Sequence, residues 1–546
     1  MKKVLALILA LSMVLSLAAC TSAGKPEETK EAQTTASGEK ETAKETEKTP
    51  ADTAEKTDSA DTEGEAPALK EGELYVDPDP ANWPTVVVEV CSFSDQLAAE
   101  AEIEAALNEY LVSINTGVKC DMLPIAIGDR ATRLTLMLAD NNDPIDVFGW
   151  RWYSSVTNLA KNQQVIPLDK YKDVYPDLWE VYPEAIYRIC TVDGQLYSMP
   201  SGGCFGQQEV YVMRKDIAEE IGVMDLVDTK ITTEQLEEIM AKGKAAHPEM
   251  CWQADAALTP YLNVDDLGDA KWLGVLRNRG LGESEIINYY DSDDFYDVCV
   301  RFKDWADKGY FRDDPLNNTT AGSELLKQGL CGGFMFEAFD MRYAYTLMQQ
   351  QVPDYPMVAF QLTDWCGTNS CVYNGWNISA ICKNPDAAMK MMYLMYTDEV
   401  VLRYFSLGKE GLTYVVTEEG WATYPEGVDS TTVGWNTSAA WFYPNETLSI
   451  PFDTSFVEMY DLMKEINHDD SRKYSDAMGF IFDNTAVFDE VTACSSVVDQ
   501  YRSALTYGQV DVDNYLQDFR DELRDAGIDK VIEEMQRQYD EFLAGK

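Results

Sequence analysis

Between Thr85 and Phe148 the chain switches its hydrophobic period four times. TVVVEVCSF (85–93) is an apolar, β-branched run; from Asp95 to Val112 apolar residues recur at helical spacing; GVKCDMLPI (117–125) is strand-like; Asp129 to Asp140 is helical; DPIDVF (143–148) is a short apolar strand again. Strand, helix, strand, helix, strand predicts an α/β lobe around a largely parallel sheet, because continuous apolar runs suit strands covered on both faces. NQQVIPLDKY, a hairpin-like VDGQLYSMPS with an Asp-Gly turn, and QEVYVMRKDIAEEIG, a strand running into a helix, follow.

The residues before this lobe read differently. MKKVLALILALSMVLSLAAC has two lysines, an apolar run from Val4 to Leu17 and small residues ending at Cys20. That pattern is a secretory signal over 1–19, with a run too short to span a bilayer. Residues 20–72 then form an acidic linker of Thr, Ala, Glu, Lys, Ser and Asp, for which disorder is expected because it has no apolar surface to offset its ordering entropy. As a flexible tether of about fifty residues it would span roughly 40 Å.

The stretch 73–546 is rich in Trp, Tyr and Phe and holds no second long apolar run, so it is long enough to bury cores in two lobes. Its charge excludes a partner class: 94 acidic against 44 basic residues, a formal net charge of −50, leave no basic stripe to neutralise nucleic-acid phosphates. Of twelve cysteines, eleven lie beyond Cys20, none in a C-x-x-C pair, and only His247 and His468 could join them as ligands. A thiolate or mixed zinc site is therefore not expected. Most of these cysteines sit in apolar contexts, and Cys366 with Cys371 is the pair that proximity in sequence nominates for a disulfide. No cofactor is expected; the acidic loop DSDDFYD (291–297) invites a structural calcium but lacks the glycine of a calcium-binding turn.

Two resemblances add to this reading. Leu17-Ala18-Ala19-Cys20 resembles the lipobox of bacterial lipoproteins, which implies acylation of Cys20 and a lipid anchor on the extracellular face of the membrane. The order of DVFGWRWYSSVTNLAKNQQVIPLDKY, VDGQLYSMP, EVYVMRKDIAEEIG, GGFMFEAFD, NISAICKNPDAAMKMMYLMYTDEVV, YFSLGKEGLTYVV and the closing VDNYLQDFRDELRDAGIDKVIEEMQRQYDEFL resembles the family-1 extracellular solute-binding proteins of ATP-driven importers, the oligosaccharide group. That resemblance implies a two-lobed periplasmic-binding-protein fold of type II, hinge-crossing strands, extra C-terminal helices, a monomer, an oligosaccharide in the inter-lobe cleft and an ABC transporter permease as partner. On this basis lobe 1 is expected over about 73–200 and 370–425, lobe 2 over about 201–369 and 426–546, with a last amphipathic helix from Val512 to Leu543.

Ligands of open α/β sheets bind beyond the carboxyl ends of the strands, which nominates Ser92 to Gln96, with Asp95, and the turn from Gly149 to Tyr153. A sugar offers apolar C–H faces between hydroxyls, so its site needs aromatic platforms beside polar groups. Trp150, Arg151, Trp152 and Tyr153 provide that mixture, although strict strand alternation would send Arg151 and the tryptophans to opposite sides. Arg151 could also pair with a uronate carboxylate. Further candidates are Phe205 and Gln207 in SGGCFGQQ, Glu337 and Phe339 after a strand, Trp376 with Asn374 near a lobe crossing, and Trp435, Trp441, Tyr443 and Asn445 in GWNTSAAWFYPNET. Each ring competes with an ordinary role as core filler. Two other functions share these features: a binding protein for a peptide or another solute on the same fold, and a surface glycoside hydrolase, which needs only two facing carboxylates. No H-E-x-x-H, G-x-S-x-G, P-loop or G-x-G-x-x-G motif is present.

Overall fold

The run that opens the globular part becomes strand β1, Thr85–Ser92, and almost all of it is buried, as a strand covered on both faces must be. In the computed structural model, which describes residues 69–139, 144–255, 263–372, 374–437, 440–452 and 459–545, β1 pairs in parallel with β2 (Lys119–Ala126) and with β3 (Val147–Gly149). The Asp193-Gly194 pair, both at positive φ, turns the hairpin of β4 (Thr191–Val192) and β5 (Gln195–Leu196). β6 (Met199–Ser201) completes the first sheet through a later strand, described below.

Two helices cover this sheet. Glu100–Ser113 buries Ile103, Leu107 and Leu111, one residue per turn, and places Glu100 and Glu102 at its N-terminus, where the helix dipole favours negative charge. Ile127–Met137 buries Leu134 and Met137 together with a charged residue, Arg130.

The second sheet is antiparallel. β7 (Gln208–Arg214) leads into it; after β8 (Val264–Asp265), β9 (Gly274–Arg277) and β10 (Ile286–Asn288), which pair among themselves, β11 (Gly333–Ala338) and β12 (Met357–Gln361) flank β7. Alternation along β7 divides its two faces. Tyr211 and Met213 join a core with the C-terminal helices, through Val498, Leu505 and Phe519, while Val210 and Val212 join one with Phe334 and Met348. After β13 (Cys366–Gly367) the chain returns to the first sheet as β14 (Asn374–Ile378), antiparallel to both β3 and β6. The first and second sheets, each with its own packing and joined by crossings at 202–207 and 362–372, are the expected two-lobed α/β architecture.

Several expectations are corrected. Everything after 426 was assigned to the second lobe, yet Trp435, Phe442 and Tyr443 sit in the first core, and backbone bonds from Phe93 N to Thr437 O (2.9 Å) and Ala99 N to Gly434 O (2.8 Å) tie that loop to the end of β1. The last helix is two helices, Val512–Ala526 and Ile528–Ala544, because Gly527 at φ +95° is a left-handed C-cap that no helix continues through. DSDDFYD is not a loop but starts a helix: Ser292 accepts from Phe295 N at 3.2 Å, and Asp293 and Asp294 lie in the first turn, where the helix dipole favours negative charge. Cys366 and Cys371 are free thiols facing different partners, the Arg279 carbonyl and the Thr368 hydroxyl. Among the described residues no helix is long and apolar enough to cross a membrane, and no group of three or more His, Cys, Asp or Glu is placed to hold a metal ion. The signal segment, Cys20 and nearly all of the linker lie outside the described residues.

Arg130 explains how the first sheet is fastened at its ligand-facing end. Its guanidinium forms a fully buried pair with Glu89 of β1, Nη2 to Oε2 at 3.0 Å in addition to the Nε contact, and donates to the carbonyls of Gly149 (2.5 Å) and Arg151. Glu89 in turn accepts from the Gly149 N–H at 3.0 Å. Arg130→Met, which strands the Glu89 carboxylate in the core, is expected to destabilise the protein by about 3–5 kcal/mol in thermal or urea unfolding. The paired change Glu89→Leu with Arg130→Met is expected to recover most of that loss.

Candidate functional site

The turn after β3 does not continue as a strand. Tyr153 N and Ser154 N both return to the Trp150 carbonyl at 3.1 Å, and Trp152 takes up φ +55°. A left-handed backbone at a bulky aromatic residue is strained by about 1–3 kcal/mol and persists only where the surroundings impose it. Here Arg130 holds the carbonyls of Gly149 and Arg151 just before Trp152, and Asn374 Oδ1 accepts from Arg151 N at 3.0 Å. Gly149 is needed for close approach: an added Cβ would lie 2.5 Å from the Phe442 ring and 2.8 Å from the Asn374 amide.

Because this is a turn, alternation does not govern its side chains. Trp152 is 50% exposed and meets Phe93 (42%) and Trp441 (38%) edge-on, with ring centroids 5.4 Å away in both cases. Arg151 lies over the same rings, 4.6 Å from Trp152 and 5.9 Å from Trp441. Large half-exposed rings clustered at the carboxyl ends of parallel strands are a surface for an apolar face.

Arg151 and Trp441 open onto a cavity of about 520 Å³ whose other wall comes from the second sheet. β11 and the residues after it supply Phe336, Glu337 and Phe339, the last stacked on Tyr343 at 4.0 Å; Gln207, from the lobe crossing, contacts Glu337 through its amide. Two carboxyls line this cavity. Enclosure by protein pushes Glu337 up to about 7 although its side chain still reaches solvent, with Arg279 opposing the shift and Asp266 adding to it. Burial alone pushes Glu446 up to about 7. Gly203 leaves room for Glu446: a Cβ there would come within 2.9 Å of its carboxyl. The arrangement offers ring faces, a cation, an amide and two carboxyls that switch between hydrogen-bond donor and acceptor near neutral pH.

Of the residues nominated from sequence, Arg151, Trp152, Gln207, Glu337, Phe339 and Trp441 come together here. Others do not. Phe205, Trp376, Trp435 and Tyr443 are core: Trp376 Nε1 donates to the Phe442 carbonyl at 3.2 Å, Trp435 Nε1 to Phe405 O at 3.1 Å, Tyr443 stacks on Trp376, and Phe205 packs edge-on against Tyr182. Asn445 is buried and donates to the Tyr396 carbonyl at 3.0 Å. Tyr153 packs on Phe148, and Trp150 turns away to a second cavity of about 340 Å³ whose walls, including Leu267, Phe480 and Met535, are mainly apolar. Asp95 stays on the exposed loop after β1 and is not on the cavity wall. Phe93 falls inside the nominated segment Ser92 to Gln96, though not singled out there as a platform; Tyr343 and Glu446 were missed, and neither carried a local signal that sequence reading could have used.

The model of the bacterial extracellular solute-binding protein family matches residues 95–401, and that of a domain of unknown function matches residues 476–544. A carbohydrate ABC transporter substrate-binding protein of Streptococcus pneumoniae is 23% identical over 457 residues, 77% of this chain and 90% of that protein. Crystal structures of the N-glycan transport solute binding protein from the same species share the fold at 19% identity. One has a TM-score of 0.68 and covers 84% of this chain and 99% of its own; the other, in complex with Man1GlcNAc, has a TM-score of 0.58 and covers 84% and 100%.

The carboxyls set a pH dependence of known sign. Their folded pKa values, about 7, stand above the ordinary 4.5, so the charged form is penalised in the folded state. That penalty is full above pH 7 and fades as pH falls toward 4.5. Glu446→Gln is therefore expected to melt a few degrees above the parent at pH 8 and level with it at pH 5 in parallel thermal melts.

Proposed function

Because this chain belongs to the bacterial extracellular solute-binding protein family, we propose that it captures an oligosaccharide between its two lobes and delivers it to the permease of an ATP-driven importer. The observation that carries this reading is the pairing of two ring-bearing walls across one cavity: Phe93, Trp152 and Trp441 with Arg151 on the first lobe, Phe339 stacked on Tyr343 with Glu337 on the second. Sugar rings stack on such faces while their hydroxyls bond the amide and carboxyl groups between them. Since neither wall holds the ligand alone, ligand favours the state in which both engage it, and closure is the signal read by the permease.

The ligand we propose is a neutral glycan. Arg151 could receive a uronate, but Glu337 and Glu446 line the same cavity and carry charge above pH 7, so an acidic sugar would be repelled there. The glycans named for the similar structures support a carbohydrate over a peptide. The role is capture and release without cleavage, by a monomer held at the extracellular face of the membrane through an acylated Cys20.

Isothermal titration with a panel of neutral and glucuronyl-substituted oligosaccharides tests this. A neutral member is expected to bind more tightly than its acidic counterpart at pH 8, with Trp441→Ala, Trp152→Ala and Phe339→Ala each weakening it roughly tenfold, about 1.4 kcal/mol. Chromatography of the incubated glycan is expected to return it intact. Affinity unchanged in all three variants would move the site elsewhere, and shorter products would make the protein a hydrolase.

A further inference from the structure

The second lobe holds a cysteine pair that sequence spacing does not reveal. Cys251 and Cys331 lie about eighty residues apart in the chain, yet they are direct partners in a parallel β-bridge. Cys251 N donates to Leu330 O at 2.9 Å and Gly332 N to Cys251 O at 2.9 Å, so the Cys251 backbone brackets Cys331 from both sides. Bridge partners have Cα atoms about 5 Å apart, inside the span of roughly 4.4–6.8 Å that a disulfide closes, and their side chains leave the same face. Both are free thiols in this structure and both are buried, with Cys331 Sγ donating to the Gly333 carbonyl at 3.2 Å.

The pair sits where a covalent staple would matter. β11 is the edge strand of the second sheet and carries Glu337, with Phe339 just beyond it, to the cavity. Its open edge is covered by the segment Cys251 to Gln253: besides the Cys251 bonds, Met335 N donates to Gln253 Oε1 at 2.9 Å. A bond between the sulfurs would fasten that cover to the start of the ligand-bearing strand. We propose that Cys251 and Cys331 form a disulfide that clamps the edge of β11.

The chemistry balances with a small-molecule disulfide or a thiol–disulfide oxidoreductase as oxidant. The Cys251 thiolate attacks one sulfur of the oxidant disulfide, forming a mixed disulfide and expelling one thiolate, which takes up a proton. The Cys331 thiolate then attacks Sγ of Cys251 and expels the second. The protein loses two hydrogens and the oxidant disulfide becomes two thiols. Cys251 suits the first step: the neighbouring Cys331 thiol, with the Arg312 charge, lowers its pKa, whereas burial raises that of Cys331. Since Cys331 is fully enclosed, closure belongs to folding, before the sheet seals.

The full-length protein refolded in a glutathione redox buffer, alkylated in denaturant and digested without reductant tests this. The expected result is one cross-linked peptide joining Cys251 to Cys331, two fewer free thiols than after reduction, and a melting temperature that falls by roughly 5 °C with reductant. Cys251→Ser and Cys331→Ser should each melt at a temperature that reductant does not change; should they fail to fold, the parent's peptide map alone decides. Equal thiol counts with and without reductant, or a cross-link between any other pair, would overturn the proposal.

Discussion

A buried guanidinium with a buried carboxylate is costly to desolvate and is retained only where good geometry satisfies both groups. Arg130 and Glu89 meet that condition by spending every strong bond on the end of the first sheet: each to the other, Arg130 to the carbonyls of Gly149 and Arg151, Glu89 to the Gly149 N–H. Arg130 also lies 5.2 Å from the centre of the Phe442 ring, next to Trp441. One cation thus joins β1, the helix after β2, the turn after β3 and the distant loop that returns at 440–445. The strained backbone of Trp152 persists because Gly149 and Arg151, in the turn just before it, are held this way, and the three half-exposed rings keep their mutual geometry as a consequence.

The opposite wall is built on another principle. Glu337 and, just beyond it, Phe339 hang from an edge strand of a small antiparallel sheet, and Glu337 is a carboxyl whose charge the cavity disfavours. A wall fixed by a buried ion pair facing a wall tuned by desolvation suits reversible capture. The rings supply contact area that needs no reorganisation, and the carboxyls adapt their protons to the hydroxyls presented to them.

Much of this was legible before any coordinates. The strand and helix order of the first lobe, the Asp-Gly hairpin and the strand-to-helix passage after 208 follow from hydrophobic period and turn chemistry, which act over a few residues. The turn from 149 to 153 and the segment at 337–339 were nominated because they end strands. The misreadings share one cause. Trp376, Trp435 and Tyr443 look like platforms in glycine-rich, polar stretches, but those stretches run through the first core, and only a long-range contact could reveal it. Alternation failed at Arg151 because Arg130, paired with Glu89 far along the chain, holds the Arg151 carbonyl and the chain there bends into a turn. Glu89, a lone acid in an otherwise apolar strand, was the local sign of that pair.

The sequence by itself determined the α/β class of fold and the neighbourhood of the site, since apolar periodicity, turn residues and strand ends are written in consecutive positions; the two-lobed division was implied by length and by the family resemblance. Tertiary structure alone decided which rings face the cavity, how the turn after β3 is held, where residues 433–437 and 440–445 belong and which two cysteines meet. Each of these depends on atoms that come within a few ångströms only after chain segments separated by tens to hundreds of residues have packed, and no local pattern encodes that distance.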